Sequence, residues 1–200
     1  MLTRESLANI IESYAQVVEE EEVDAGGKKR KKRKQIFPRF HQLRTVRALL
    51  RLAHADGVGN RYLIQHSAGS GKSNTIAWLA HQLVELRRKD DPLTVQFDSI
   101  IVITDRRALD TQIARTIKGY DHVAAIFGHS DNAQELREYL RRGKKIIVTT
   151  VQKFPFILDE LGDLSGKSFA LLIDEAHSSQ GGKTTARMHE ALGGKVAAEE

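Results

Sequence analysis

The chain has 200 residues, 40% of them hydrophobic and 28% charged, which is typical of a globular protein with one hydrophobic core. Its net charge of +5 suits a polyanionic partner. The absence of cysteine excludes disulfides and thiolate zinc sites and favours a cytoplasmic location. No apolar run approaches the roughly 20 residues that span a bilayer, so we expect no membrane partner.

The first 35 residues are predicted to form a short helix followed by a charged linker. Apolar residues recur at three- and four-residue spacing between residues 3 and 18, which predicts an amphipathic helix. Residues 19–22 are all glutamate, and residues 28–34 are all lysine or arginine. Because blocks of like charge repel themselves, we expect residues 19–34 to be a linker or surface loop. Contact with phosphates and a nuclear-localisation signal are the alternatives for the basic run.

From residue 36 onward, helical patterns alternate with short runs rich in isoleucine and valine. Helices are predicted near residues 40–54, 71–88, 106–117 and 132–142, the last capped by Asp131 with Gln134. Strands are predicted at residues 61–66, 99–104, 122–127, 145–150 and 169–173. This alternation predicts an α/β domain over residues 36–192, with a mostly parallel sheet covered by helices on both faces, and a tail at 193–200.

Residues 66–73 read His-Ser-Ala-Gly-Ser-Gly-Lys-Ser between a predicted strand and a predicted helix. A phosphate-binding loop (P-loop) needs glycines where a Cβ would collide, with backbone N–H groups aimed at the anion. Lysine can reach the terminal phosphates of ATP, and the following serine can ligate Mg²⁺. The predicted nucleotide-binding residues are therefore Gly69, Ser70, Gly71, Lys72 and Ser73.

A pair of acids follows the apolar run at residues 169–173. In a parallel sheet the carboxyl ends of the strands share one edge, so Asp174 and Glu175 are expected near the phosphate loop. In a nucleotide-hydrolysing fold the first acid holds Mg²⁺ and the second polarises the attacking water. His177 is positioned to sense the γ-phosphate. ATP and Mg²⁺ are thus the predicted cofactors.

Asp-Glu-Ala-His at 174–177 (a DEAH motif), coupled to Ser-Gly-Lys-Ser at 70–73, resembles the superfamily 2 helicases and translocases, whose motor domains are RecA-like P-loop NTPases. Three segments look like the motor subunit of type I restriction endonucleases in particular. They are Thr-Asp-Arg-Arg-Ala-Leu-Asp-Thr-Gln at 104–112, Val-Thr-Thr-Val-Gln-Lys-Phe at 148–154 and Asp-Glu-Ala-His-Ser-Ser-Gln at 174–180. The resemblance covers about residues 36 to 190.

The resemblance implies roles for further residues. Gln42 matches the glutamine that reads the adenine edge, since an amide can both donate to and accept from adenine. Four residues that follow strand ends match segments touching DNA phosphates, contacts that position a motor without reading sequence. They are Arg106, Arg107, Thr149 and Lys153.

The resemblance also implies a function: ATP-driven translocation along double-stranded DNA during restriction of foreign DNA, in complex with methylase and specificity subunits. Family motors have a nuclease domain and a second RecA-like domain carrying an arginine finger, and these 200 residues match neither. We therefore expect the chain alone to bind ATP with little turnover. The alternatives are an ATP- and DNA-binding fragment without turnover, or another superfamily 2 helicase or remodeller.

Overall fold

The computed structural model describes residues 3–23, 29–67, 69–104, 113–114, 116–117, 127–130, 132–150, 152–153 and 166–174. In chain order the helices are α1 (Arg4–Ser13), α2 (Phe40–Asp56), α3 (Lys72–Val84) and α4 (Ala133–Arg141). The strands are β1 (Gln16–Val23), β2 (Lys29–Ile36), β3 (Ser99–Thr104), β4 (Phe127–His129), β5 (Ile146–Thr150) and β6 (Phe169–Ile173). Among the helices of these ranges, none is long and apolar enough to cross a bilayer.

Four strands form the predicted parallel sheet, in the order β4-β5-β3-β6. Side chains alternate between the two faces of a strand. In β3, Ile100 and Val102 join the cluster that contains Trp78 of α3, whereas Ile101 and Ile103 join the cluster that contains Leu136 of α4. Helices therefore cover both faces, and the predicted α/β class is confirmed.

Most predicted elements within the described ranges are present, with shifted ends. The helix expected at 71–88 ends at Val84, and β4 begins only at the last residue of the predicted strand 122–127. Four described residues of the predicted helix at 106–117 are helical. Helix α4 is capped by Asn132, whose side chain accepts a 2.9 Å hydrogen bond from Glu135 N. The predicted cap Asp131 lies outside the described residues.

The strand predicted at 61–66 is absent from the structure. Residues 61–67 have no regular secondary structure, and the side chain of Leu63 is 90% exposed. Tyr62 instead turns back toward α2, and its hydroxyl donates a 2.7 Å hydrogen bond to Asp56 Oδ2. The prediction was wrong because an apolar run becomes a strand only when a neighbouring strand pairs with its backbone.

The linker predicted at 19–34 is also wrong, because β1 and β2 form an antiparallel hairpin. Their register places 19 opposite 33, 20 opposite 32, 21 opposite 31 and 22 opposite 30, so each glutamate faces a lysine or arginine. Opposite charges directly across a strand pair stabilise it. Repulsion within each block predicts a linker or surface loop, and this argument leaves out the attraction between the two blocks.

The N-terminal segment packs on the helices of the α/β domain. The Arg47 guanidinium of α2 donates to Asn9 Oδ1 at 2.8 Å and to Ser6 Oγ at 3.0 Å on α1. The indole Nε1 of Trp78 donates a 2.8 Å hydrogen bond to Tyr14 O, and the two rings lie 5.8 Å apart. Tyr14, the C-cap of α1, is fully buried, so the turn between α1 and β1 belongs to the main core.

Candidate nucleotide-binding site

The predicted phosphate loop leads directly into α3, with left-handed backbone at two glycines. Gly69 has φ 73° and Gly71 has φ 81°, values that L side chains rarely adopt. Gly71 is the N-cap of α3, and Lys72 and Ser73 are its first two residues. The first N–H groups of a helix lack partners within it and lie at the positive end of its dipole, which favours bound anions.

Gln42 of α2 links this loop to the start of α2 through the two ends of its amide. Its Nε2 donates to Ser70 O at 3.2 Å and to Gly71 O at 3.0 Å. Its Oε1 accepts a 2.8 Å hydrogen bond from Arg39 N, as in a capping box at the start of α2. With only 3% of its surface exposed, Gln42 acts here as a fastener between α2 and the loop.

His41 strengthens the same attachment, a role that the sequence analysis missed. Its Nε2 lies 3.0 Å from Ser70 O, and because a carbonyl only accepts, that nitrogen carries the hydrogen. The only sequence signal for this contact is its position next to Gln42. Together the two side chains draw the Ser70 and Gly71 carbonyls toward α2.

The direction of these carbonyls decides where the loop can hold an anion. In a planar trans peptide the C=O and the following N–H point in opposite directions, and the described chain has no cis peptide bond. The Ser70 carbonyl contacts both His41 and Gln42 of α2, so the N–H of Gly71 turns away from α2. The Gly71 carbonyl also accepts from Thr75 N within α3, so the N–H of Lys72 points out of the start of that helix. Two adjacent N–H donors at a helix start form an anion-binding concavity.

His66 closes the other side of the loop. Its Nε2 lies 3.4 Å from Thr45 Oγ1 and its Nδ1 lies 3.4 Å from Ser70 Oγ, while its ring meets that of His41 edge-on at 5.8 Å. Burial lowers the pKa of His66, and the charges of His41 and Lys72 lower it further. Both effects disfavour the charged form of the His66 imidazole.

A cavity of about 500 Å³ lies between the start of α2 and the loop. Its lining includes Arg39, His41, Thr45, Gln65, His66 and Ser70. Polar groups thus line a space that adjoins the loop.

Asp174 follows β6 at the edge of the sheet where all four parallel strands end. Its N donates to Ile103 O at 2.9 Å, so the β3–β6 ladder continues to this residue, and its side chain is buried. A carboxylate on such an edge can ligate Mg²⁺, an ion that prefers oxygen ligands. Its pairing with Ser73 around Mg²⁺ stays a prediction, and Glu175 and His177 lie outside the described residues.

Two of the predicted DNA-contacting residues are described, Thr149 as the penultimate residue of β5 and Lys153 just after that strand. Thr149 is fully buried, and its Oγ1 accepts a 3.1 Å hydrogen bond from Ser130 Oγ. Lys153 Nζ donates to Ser130 O. Thr149 therefore lies in the interior of the sheet. Arg106 and Arg107 lie outside the described residues. The DNA contacts stay predictions.

Comparison with known proteins adds family relationships to this geometry. The family model described as SWI2/SNF2 ATPase matches residues 41–197. The chain is also similar to the C-terminal part of the putative type I restriction enzyme MpnIIP endonuclease subunit of Mycoplasma pneumoniae. The two are 31% identical over 136 residues, which cover 64% of this chain and 61% of that protein.

Two longer proteins show the same kind of similarity. The putative type I restriction enzyme MjaIXP endonuclease subunit of Methanocaldococcus jannaschii is 24% identical over 180 residues, or 80% of this chain and 16% of that protein. The type I restriction enzyme HindI endonuclease subunit of Haemophilus influenzae is 31% identical over 125 residues, or 60% and 11%. The chain therefore spans less than two thirds of the length of each of these relatives.

Proposed function

The chain belongs to the SWI2/SNF2 ATPase family, and from that premise we propose that it is the ATP-binding motor domain of a type I restriction enzyme endonuclease subunit. In this proposal Lys72 and the loop N–H groups hold the phosphates of ATP, and Ser73 and Asp174 hold Mg²⁺. The metal would neutralise phosphate charge, while Glu175 orients the attacking water and His177 senses the γ-phosphate.

One observation carries the nucleotide-binding part of this proposal. The phosphate loop has positive φ at both glycines, and Gln42 and His41 hold its carbonyls on the far side from the anion site. Such preorganisation matters because donors already in place need no rearrangement when charge develops on the phosphate. A glycine turn that merely preceded a helix would have no need of this fastening.

Translocation along double-stranded DNA is the finer part of the proposal. Its support is the similarity to proteins named as type I restriction endonuclease subunits, together with a net positive charge. Arg106, Arg107 and Lys153 are the proposed phosphate contacts. Thr149 is fully buried, so its proposed role is to support Lys153 through Ser130, which both residues contact. Methylase and specificity subunits would be the protein partners.

Nucleotide binding is tested with Lys72→Ala. We expect affinity for a fluorescent ATP analogue with Mg²⁺ to fall at least tenfold, which is about 1.4 kcal/mol. Lys89→Ala is the matched control, since it removes the same charge from an exposed position outside the loop. Equal affinity of the Lys72 and Lys89 variants would remove the phosphate-loop assignment.

Turnover separates a complete motor from a binding fragment. An arginine finger from a second RecA-like domain is worth about 10³ to 10⁵ in rate. The 200-residue chain alone should therefore release phosphate near background, with or without duplex DNA. Addition of a second motor domain from a relative should raise that rate, and Glu175→Gln should abolish the increase. Robust DNA-stimulated turnover by the chain alone would contradict this expectation.

A further inference from the structure

We propose that the β1–β2 hairpin is a DNA-phosphate-binding arm whose acidic strand competes with DNA for its basic strand. The choice of DNA as partner rests on the proposed function. The binding surface itself is carried by the geometry and charge of the hairpin, and none of its residues belongs to the nucleotide site.

The base of the hairpin is fixed to the body of the protein. Gln16 is 4% exposed, and its Nε2 donates a 3.0 Å hydrogen bond to Thr116 O. Ile36, its cross-strand partner, packs against the main core beside Tyr14. Residues 16–36 also precede the segment matched by the ATPase family model, which starts at residue 41. The hairpin is thus a firmly rooted addition to the ATPase core.

Charge is separated between the two strands. β1 reads Gln-Val-Val-Glu-Glu-Glu-Glu-Val, whereas β2 reads Lys-Arg-Lys-Lys-Arg-Lys-Gln-Ile. Four of the six cations lie opposite glutamates, and the other two lie opposite valines. The described side chains of the basic run are exposed, namely Arg30, Lys32, Arg33 and Lys34. The strand therefore presents these four cations at the surface.

The spacing along β2 matches that of a nucleic-acid backbone. Residues 30, 32 and 34 lie on one face of the ribbon, and alternate residues of an antiparallel strand are about 6.8 Å apart. Phosphates of one DNA strand advance by about 3.4 Å each along the helix axis, so every second phosphate lies the same ~6.8 Å further along. One face of β2 can therefore follow the phosphates of one strand, and a two-stranded ribbon is narrow enough to enter the major groove.

The register makes β1 an internal competitor. Residues directly opposite in an antiparallel pair share a face, so each glutamate position at 19–22 adjoins a cation on the surface that DNA would use. Exposed ion pairs are individually weak, so phosphates can displace them. The arm should bind DNA weakly while β1 is charged and tightly once its carboxylates are neutralised.

The test replaces the four glutamates at 19–22 with glutamine in the full 200-residue chain. Binding to a fluorescent duplex of about 20 base pairs, two turns of B-DNA, is measured by anisotropy over a series of salt concentrations. We expect at least about tenfold tighter binding at low salt. The slope of log affinity against log salt should steepen by about 0.9 for each additional phosphate that the arm neutralises.

Two further variants separate local competition from net charge. The control neutralises four exposed acids elsewhere and changes the total charge equally: Glu12→Gln, Glu85→Gln, Asp90→Asn and Glu138→Gln. Its slope should stay close to that of the unmodified chain. The second variant adds Lys32→Gln, Arg33→Gln and Lys34→Gln to the four changes at 19–22. It should lose the gain in DNA affinity that those four changes produce. Thermal unfolding identifies any variant that fails to fold, and single Glu→Gln changes at 20 and 21 then replace it.

Equal slopes for the hairpin variant and the charge-matched control would overturn the proposal. So would retention of the gain after the three cations are removed, or failure of every variant to bind DNA. Each of these results leaves the ATP titration of Lys72→Ala untouched. Conversely, equal ATP affinity of the Lys72 and Lys89 variants together with a steeper salt slope for the variant at 19–22 would contradict the proposed function. That combination would still support DNA binding by the hairpin.

Discussion

Gly71→Ala should weaken the folded state more than the equivalent change at Gly69, because only one of the two glycines faces a side chain. Both have left-handed backbone, which costs an alanine about 1–2 kcal/mol. A Cβ on Gly71 would lie 2.5 Å from Gln42 Nε2, whereas nothing lies within 4 Å of a Cβ on Gly69. Displacing the Gln42 amide breaks both of its hydrogen bonds to the loop and leaves its buried Nε2 without these partners, at about 1–3 kcal/mol more.

Urea denaturation of the nucleotide-free chain measures this difference without any contribution from ATP. We expect a loss of about 2–5 kcal/mol for Gly71→Ala and about 1–2 kcal/mol for Gly69→Ala. The double variant Gly71→Ala with Gln42→Ala should lose about 1–3 kcal/mol less than the sum of its singles, because both disrupt the same hydrogen bonds. Equal losses at the two glycines, or strict additivity, would refute the fastening role of Gln42.

Three further outcomes follow from the described contacts. Burial lowers the pKa of His81 to about 4, whereas a histidine of the unfolded chain has a pKa of about 6.5, so between these values only the unfolded chain gains the proton. The free energy of unfolding, measured by urea titration, should therefore fall by about 2 kcal/mol between pH 6.5 and 5. His81→Gln should flatten that pH profile. Arg47→Lys loses the forked hydrogen bonds to α1 and should lower stability by about 1–3 kcal/mol, seen as a lower Tm. The adenine-reading role that the resemblance implies for Gln42 predicts that Gln42→Ala reduces the preference for ATP over GTP in competition titrations. An equal loss of affinity for both nucleotides would instead fit the contacts of Gln42 with the loop alone.

The sheet could be predicted from sequence because its strands are buried on both faces. β3 and β5 are continuous apolar runs at nearly every position up to their terminal threonines, which no amphipathic helix would show. The phosphate loop could also be predicted, because its positive φ angles favour glycine and the glycines are visible in the sequence. Features that depend on a residue and its immediate neighbours are therefore recovered from sequence.

Features that depend on distant partners were missed. Gln42 and the loop carbonyls that it binds are 28 and 29 residues apart, so the sequence suggested a ligand for this amide and not its protein partners. The prediction of a linker or loop at 19–34 was wrong for the same reason, because the pairs that stabilise the hairpin join two separate charge blocks. At residues 61–66 the apolar pattern was present, but pairing with a neighbouring strand was not.

The uniform composition of the hairpin has an evolutionary consequence. In most sheets a slip of one residue turns the buried side chains outward, which fixes the register of the strands. In this hairpin a shift of the glutamate run against the basic run still sets opposite charges side by side, and only Gln16 and Ile36 at the base define the alignment. Insertions and deletions near the tip should therefore be tolerated, so related chains can vary the reach of this arm while its root stays constant.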